Sequence, residues 1–303
     1  METKSKKEYI NDNPAWEILL DLDEMSKSDS IPWVFKGATG LYPDYSRFIV
    51  NLSKGGGDAT VKREFDVNSK NFLDNGFYVP ESKGSVSYLD KNTLIISSDF
   101  GENSMTTAGY PRQVKQWKRG TSLKDATLLF EGNKEDILAS GFVFRNDETK
   151  YKAVVRVASA SDISYLISVD DKQIKLDIPS DASPQNLLNN QLIVLLKSDW
   201  SVGDKTYKHG SLLSLNFTKL LEGEKEIQLI LEPTESSSIS GVSTTKNKLL
   251  ITLLHNVSSE LFIYTFENNK WISEKVNAPD FGTISVQGVS DLSDEYFFHL
   301  ETF

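Results

Sequence analysis

The sequence predicts an all-β protein of the β-propeller class, on three observations. Helix signals are few and short, at residues 21–26 and 122–126. Apolar runs of a few residues recur along the whole chain, each bounded by Asn, Asp, Gly, Ser or Lys, which is the pattern of buried strands. These runs return about every 50 residues, and a four-stranded unit at such a period is typical of a propeller blade.

Each strong apolar run occupies the second position of its unit. A weaker strand and a short polar turn precede it, and a variable loop with a third strand follows it. A fourth strand comes after several of them. The six runs are residues 48–50, 94–96, 153–155, 192–196, 249–254 and 296–298. A β-sandwich also contains many short strands, so it stays the alternative architecture at this point.

The repeat predicts a propeller domain over residues 1–303 that is incomplete at both ends. Five complete blades are predicted, at residues 31–80, 84–132, 137–180, 184–233 and 237–279. The segment AWEILLDLD at residues 15–23 is predicted to be the outer strand of a part-blade, and residues 284–303 to be the inner two strands of another. Residues 1–13 are expected to be a poorly ordered lead.

Composition excludes several functions. Lys and Arg number 33 against 43 Asp and Glu, and the formal net charge of −10 disfavours nucleic-acid binding. Cysteine is absent, so disulfides and thiolate metal sites are excluded, and the three histidines lack metal-ligand spacing. We therefore expect neither a metal nor a cofactor. The apolar runs are too short to span a membrane, and no signal peptide is visible, so a cytoplasmic location is expected.

Three segments resemble a known family. They are NPAWEILLDLDEMSKSDSIPWVFKGA at residues 13–38, YPDYSRFIVNLSKGGGDATVKREFDVNSKNF at residues 42–72, and SDFGENSMTTAGYPRQVKQWKRGTSL at residues 98–123. They resemble the propeller of prolyl oligopeptidase family serine peptidases, and the third is similar to the bacterial branch. The resemblance implies a seven-bladed propeller that covers the active site of a C-terminal α/β-hydrolase domain in the same chain and admits only short peptides.

The catalytic machinery of such a peptidase is missing from this sequence. A serine hydrolase of that fold needs a Gly-x-Ser-x-Gly turn, and none occurs here. We therefore assign no catalytic residue and expect this chain alone to be inactive. The predicted function is that of a substrate-gating propeller in a peptidase that cleaves short peptides after proline.

The loop at residues 99–110 follows a strong second strand. In the resembled family, loops in this position face the peptidase domain and line the cavity. The resemblance therefore makes Asp99, Tyr110, Arg112 and Arg156 candidates for a substrate-facing rim. The alternative for each of them is an ordinary connection within a blade.

Other functional interpretations remain open. The chain could be a stand-alone propeller that binds a protein or peptide, or a propeller glycosidase with two carboxylates at its channel. The basic stretch at residues 112–119 could contact nucleic acid, although a solvated strand face is favoured. The glycine run at residues 55–57 lacks the ending of a phosphate loop, so it predicts a hairpin turn.

Overall fold

The structure is a computed structural model that describes residues 6–146, 148–170, 172–279 and 282–302. The chain divides into two compact units. The first consists of Met1–Val143 with Lys152–Ser159, and the second of Phe144–Tyr151 with Ala160–Phe303. Short helices are confined to α1 (Lys6–Tyr9), α2 (Leu22–Asp29), α3 (Phe217–Leu221) and a 3₁₀ turn at Leu123–Asp125 among the described residues.

Strands dominate both units, and the all-β prediction is confirmed. Consecutive strands pair in chain order within each sheet, and every pairing whose register is described is antiparallel. The first sheet contains β1 (Trp33–Gly40), β2 (Arg47–Lys54), β3 (Thr60–Asp66) and β4 (Asn71–Phe72), with β5 (Tyr78–Ser82) on β3. The second contains β6 (Ser85–Asp90), β7 (Thr93–Ser97), β8 (Gln113–Lys118) and β9 (Thr127–Glu131).

The remaining sheets repeat this arrangement. The third contains β10 (Leu138–Asn146), β11 (Thr149–Ser159), β12 (Asp162–Val169) and β13 (Lys172–Lys175). The fourth contains β14 (Ser183–Leu188), β15 (Gln191–Leu195), β18 (Leu212–Asn216) and β19 (Ile227–Leu231), and β16 (Trp200–Val202) and β17 (Lys205–Tyr207) form a separate hairpin. The fifth contains β20 (Ser237–Thr244), β21 (Lys248–His255), β22 (Ser258–Glu267) and β23 (Lys270–Lys275). A two-stranded sheet of β24 (Thr283–Val289) and β25 (Tyr296–Glu301) follows.

The apolar runs form second strands because both faces of those strands are buried. All five residues of β7 are buried, and Leu94, Ile95 and Ile96 have no exposed side-chain surface. Leu94 lies opposite Tyr88 on β6 and Trp117 on β8, so its two neighbours in the sheet are aromatic. A strand that is buried on both faces has a continuous apolar sequence rather than an alternating one. Each of the five predicted blade ranges matches one of these sheets, although β5 ends two residues after its range and β14 begins one residue before its range.

Each unit has its own core. In the first unit, Phe77, Tyr88 and Trp117 pack with the aliphatic residues of β6 and β7. In the second unit, one apolar cluster joins β15, β18, β21 and β22, and another joins β21 and β22 to β24. Burial of this apolar surface is the main driving force for forming the sheets.

The strand predicted at residues 15–23 is wrong. Among residues 15–21 only Glu17 makes an isolated β-bridge, and helix α2 begins at Leu22. Asp21 caps this helix, because its Oδ1 accepts hydrogen bonds from the backbone N–H groups of Asp23 and Glu24, both at 3.0 Å. Leu19 and Leu20 instead pack against the buried residues Val50 and Leu52 of the first sheet.

The structure tests the predictions for the two ends of the domain to different extents. Two strands are present where the inner pair was predicted at residues 284–303, as β24 and β25, and their inner position in a blade stays a prediction. Residues 1–5 of the predicted lead lie outside the described residues. The number of blades in a complete ring stays a prediction. No helix among the described residues is long and apolar enough to cross a membrane.

Candidate functional site

A pocket of about 490 Å³ lies within the first unit. It forms where the first strands of three consecutive sheets begin and the second strands of two of them end. Its lining combines polar and apolar surface and includes two lysines and one aspartate. The residues that line it are Lys36, Asn51, Gly57, Asp58, Thr60, Lys83, Gly84, Ser85, Ser97, Tyr110, Pro111, Leu138, Ala139 and Ser140. We call it the Tyr110 pocket.

The floor of the Tyr110 pocket depends on Gly84. This residue has φ of +135°, and a Cβ atom on it would lie 1.9 Å from the backbone oxygen of Ser97. Only glycine allows this close approach of two backbone segments. Beside it, the hydroxyls of Ser85 and Ser140 are 2.6 Å apart, and Ser97 Oγ accepts a hydrogen bond from the N–H of Gly141 at 3.0 Å.

Lys83 is held between an aromatic ring and a carboxylate. Its Nζ lies 4.0 Å from the ring centroid of Tyr110 and 3.7 Å from Asp58 Oδ2. The Tyr110 hydroxyl donates a long hydrogen bond of 3.5 Å to the same Asp58 oxygen. Ring and carboxylate both attract the ammonium, so they orient it at the pocket.

A third lysine, Lys62, lies directly behind the pocket wall. Lys62 on β3 is almost completely buried, and its Nζ donates to Thr60 Oγ1 at 3.0 Å and to the backbone oxygen of Ser82 at 3.3 Å. No carboxylate forms an ion pair with it in the described part of the chain. Burial lowers the pKa of the Lys62 ammonium to about 8, because the charged form loses its hydration.

Asp99, the first of the four predicted rim residues, makes hydrogen bonds within its own loop. Asp99 Oδ1 accepts hydrogen bonds from the N–H of Gly101 at 2.8 Å and from Ser104 Oγ at 3.0 Å. These bonds close the turn that follows β7, which is the usual role of an aspartate in such a turn. Asp99 does not line the Tyr110 pocket.

Arg112 holds two loops together. Its Nε donates to the backbone oxygen of Asn103 at 2.7 Å, and its Nη1 to that of Gly132 at 2.7 Å. Its Nη2 also lies 2.5 Å from Glu131 Oε1. Because the guanidinium presents five donors in a planar fork, it can bind all three acceptors at once. Arg112 thereby fixes the loop that carries Tyr110.

Arg156 on β11 forms a two-bond ion pair with Asp136. Nε donates to Asp136 Oδ2 at 2.8 Å and Nη2 to Oδ1 at 2.7 Å. The Asp136 side chain is 4% exposed and also accepts the N–H of Asn133 at 2.7 Å. The hydrogen bond from Arg156 is the main reason that the pKa of Asp136 lies below its usual range. Of the four candidates, the structure places only Tyr110 at the pocket, and contact with a substrate stays a prediction for all of them.

The basic stretch at residues 112–119 is not simply a solvated strand face. Lys115 Nζ lies 4.2 Å from the ring centroid of Phe100, and Arg119 binds the buried carboxylate of Glu64 through two hydrogen bonds of 2.7 Å. These cations are therefore occupied by contacts within the first unit. The glycine run at residues 55–57 does form the predicted turn, since Gly55 and Gly56 both have positive φ between β2 and β3.

The second unit contains a different pocket of about 590 Å³. It is lined by Lys197, Lys208, His209, Glu232 and Glu235, together with apolar and small residues. Its acidic and basic side chains balance, and Lys208 pairs with Asp199 at 2.9 Å. Across the described residues, no group of three or more His, Cys, Asp or Glu side chains is arranged to hold a metal ion.

Sequence reasoning missed Lys36, Asp58 and Lys83. Nothing in their local sequence marks them, because they approach one another only when the first sheet folds beside the start of the second. The glycines beside two of them, Gly57 and Gly84, were the available signals, since such residues often mark close backbone approach.

Comparison with known proteins places this chain among propeller domains. The family model of the prolyl oligopeptidase N-terminal beta-propeller domain matches residues 3–303. The uncharacterized peptidase y4nA of Sinorhizobium fredii (strain NBRC 101917 / NGR234) is 32% identical over 304 residues, which is 97% of this chain and 42% of that protein. The uncharacterized peptidase RP174 of Rickettsia prowazekii (strain Madrid E) is 30% identical over 281 residues, covering 87% of this chain and 39% of that protein.

A solved structure agrees with these relatives. The structure of a post-proline cleaving enzyme from Rickettsia typhi matches 97% of this chain and 45% of its own chain, with a TM-score of 0.91 and 27% identity. The matches confirm the β-propeller prediction. The chain thus spans less than half the length of the relatives that it matches.

Proposed function

Since the chain belongs to the family of prolyl oligopeptidase N-terminal β-propeller domains, we propose that it serves as the propeller of a serine peptidase that cleaves short peptides after proline. The observation that supports this most strongly is the match to the Rickettsia typhi enzyme, which is described as post-proline cleaving. The catalytic domain is absent from this chain, so the serine nucleophile belongs to another part of the complete protein.

The proposed role of the propeller is to select substrates by size. The loop that carries Tyr110 follows β7, the position that faces the peptidase domain in this family. It is anchored by Asp99 at one end and by Arg112 at the other. A loop held by so many hydrogen bonds presents a fixed surface, which suits a filter that admits slender peptides and excludes folded chains.

The complete protein that contains this chain provides the test. We expect a fluorophosphonate probe to label one serine outside residues 1–303, and a short proline-containing peptide to be cleaved. A stably folded protein with an equally accessible sequence should resist cleavage until it is denatured. Absence of both labelling and cleavage would refute the peptidase and would favour a stand-alone propeller that binds peptides.

We also propose a cytoplasmic location, because a chain without cysteine suits a reducing compartment. Fractionation of the source cells, followed by immunodetection of the complete protein, tests this. Recovery in an exported fraction would contradict it.

A further inference from the structure

We propose that the Tyr110 pocket binds a carboxylate group of a peptide, with Lys36 and Lys83 as its cationic contacts. The choice of a peptide as the carrier rests on the proposed function, whereas the preference for a carboxylate follows from the pocket itself. Two sources share this chemistry, the C-terminal carboxylate of a peptide and the side chain of an acidic residue.

The charge balance of the pocket points to an anion. Its charged lining residues are two lysines and one aspartate, in a chain whose formal net charge is −10. A local excess of cations in an acidic protein favours a negatively charged ligand at that place. The pocket in the second unit has no such excess, since its lysines are matched by Glu232 and Glu235.

The two lysines remain available to a ligand. Lys36 on β1 is exposed at the pocket and forms no ion pair with any described residue. Lys83 is only weakly paired, because 3.7 Å separates its Nζ from an Asp58 side chain that is 70% exposed. A carboxylate can therefore replace or join Asp58 without breaking a buried ion pair.

Hydroxyl groups complete a set of hydrogen-bond donors for a carboxylate. Thr60, Ser85, Tyr110 and Ser140 all line the pocket. Ser85 and Ser140 bond to each other, so at most one hydroxyl hydrogen of that pair is free for a ligand, and Tyr110 can donate to a carboxylate that takes the place of Asp58. Lys62 binds Thr60 Oγ1 from behind, so this hydroxyl already accepts one bond and has its own hydrogen free to turn towards a ligand. No arginine lines the pocket, and arginine is the side chain that most often binds phosphate through two bonds.

The size of the pocket fits a peptide end. Ligand pockets of proteins typically measure about 300–1,000 Å³, and a volume of about 490 Å³ can hold two or three small residues. Pro111, Leu138 and Ala139 provide an apolar part of the wall for the side chains. A short peptide can therefore place its carboxylate at the lysines and its last side chains against these residues.

The test measures binding of short fluorescent peptides to the 303-residue chain. One peptide ends in a free carboxylate, a second has the same sequence with an amidated end, and a third is amidated with an internal glutamate. We expect either carboxylate peptide to bind about threefold to tenfold more tightly than the amide, with the gap narrowing at high salt. The tighter of the two identifies the source. Equal affinity of all three peptides would overturn the proposal.

Charge variants locate the site. Lys83→Gln and Lys36→Gln should each remove most of the preference for the carboxylate, and Asp58→Asn should increase the affinity. Lys118→Gln is the matched control, because Lys118 is an exposed lysine of the same unit that does not line the pocket. Circular dichroism checks that each variant is folded. If Lys83→Gln does not fold, the affinity of Lys36→Gln for the carboxylate peptides decides whether the lysines of this pocket bind them. An equal loss in Lys118→Gln would contradict the assignment.

Inorganic phosphate distinguishes the class of anion. Phosphate could displace the fluorescent peptides while the peptides with a carboxylate bind no more tightly than the amidated peptide. In that case the pocket selects phosphate and the proposal fails. The result is independent of proteolysis. An inactive complete protein whose propeller still prefers carboxylates would refute the proposed function alone, and an active one without this preference would refute only the inference.

Discussion

The carboxylate of Glu64 and the guanidinium of Arg119 form a two-bond ion pair that links the first sheet to the second. Arg119 Nη1 and Nη2 each lie 2.7 Å from one oxygen of Glu64, whose side chain has no exposed surface. Glu64 also accepts the Tyr88 hydroxyl at 2.8 Å and the N–H of Phe77 at 3.0 Å. A buried carboxylate with all of these partners fixes the relative position of two neighbouring sheets.

Glu64→Gln should destabilise the chain by about 2–3 kcal/mol, because it leaves a largely buried guanidinium without its counter-charge. Chemical unfolding in urea measures this. Glu81→Gln is the control, since Glu81 pairs with Lys54 at 2.8 Å with both side chains more than one-third exposed. The control should cost less than about 1 kcal/mol. Equal losses in the two variants would show that the buried pair has no special role.

The same pair predicts a dependence of stability on pH. Burial alone would raise the pKa of Glu64, but hydrogen bonds from Arg119, Phe77 and Tyr88, with the Arg119 charge, hold it below its usual value. The unfolded chain therefore binds a proton at Glu64 more readily than the folded chain. The contribution of the Glu64 carboxylate to the free energy of unfolding is fully present above the unfolded pKa of about 4.3, and it is lost as pH falls through the folded pKa. The difference in unfolding free energy between wild type and Glu64→Gln should therefore shrink below about pH 4. A difference that is constant with pH would contradict this.

Unlike the charged form of Glu64, which raises the stability of the chain, the charged form of Lys62 should lower it. Its pKa of about 8 in the folded chain is lower than in the unfolded chain, so burying the ammonium costs stability below pH 8. The cost is relieved as pH rises from about 8 towards 10, where the folded amine is neutral. Lys62→Met should stabilise the chain at pH 7, by up to about 3 kcal/mol, and should do so less at pH 10. Thermal unfolding of this variant and of the exposed control Lys118→Met, each at both pH values, measures the effect. Destabilisation of Lys62→Met at pH 7 would refute this account.

Gly84→Ala should be costly for a steric reason, because its Cβ would meet the Ser97 oxygen at 1.9 Å. Gly101→Ala separates this clash from backbone strain, since Gly101 has φ of +102° but no atom within 4 Å of its Cβ position. We expect about 1 kcal/mol for Gly101→Ala and at least 2 kcal/mol more for Gly84→Ala. Urea unfolding compares them. Similar losses of unfolding free energy in the two variants would show that the Ser97 backbone moves away from the added methyl group at little cost.

The sequence predicted the second strands well because burial alone defines them. Leu94, Ile95 and Ile96 are apolar without interruption, and both of their faces are covered. The segment at residues 15–23 was misread for the opposite reason. Its apolar residues pack irregularly, and helix α2 buries none of its own residues, so no period marked it. The helix signal at residues 21–26 begins at the Asp21 cap and lies within one residue of the observed start of α2.

Helix α3 shows a second kind of failure. Phe217 is fully buried and continues the apolar pattern of β18, so the sequence does not show that the strand ends before it. Asn216 ends the strand and caps the helix, accepting the N–H of Lys219 at 3.2 Å. The ion pair of Glu64 and Arg119 could not be predicted from the sequence either, because 55 residues separate the two and only the assembled sheets bring them together.

We propose that this chain is the propeller of a peptidase that cleaves after proline, and mass spectrometry of the cleavage products tests this proposal most directly. The complete protein is incubated with a short peptide that contains one proline, and with the same peptide carrying alanine there. We predict cleavage on the carboxyl side of the proline, and at least tenfold slower hydrolysis of the alanine peptide. Cleavage of both peptides at the same rate, or of neither, would contradict the account.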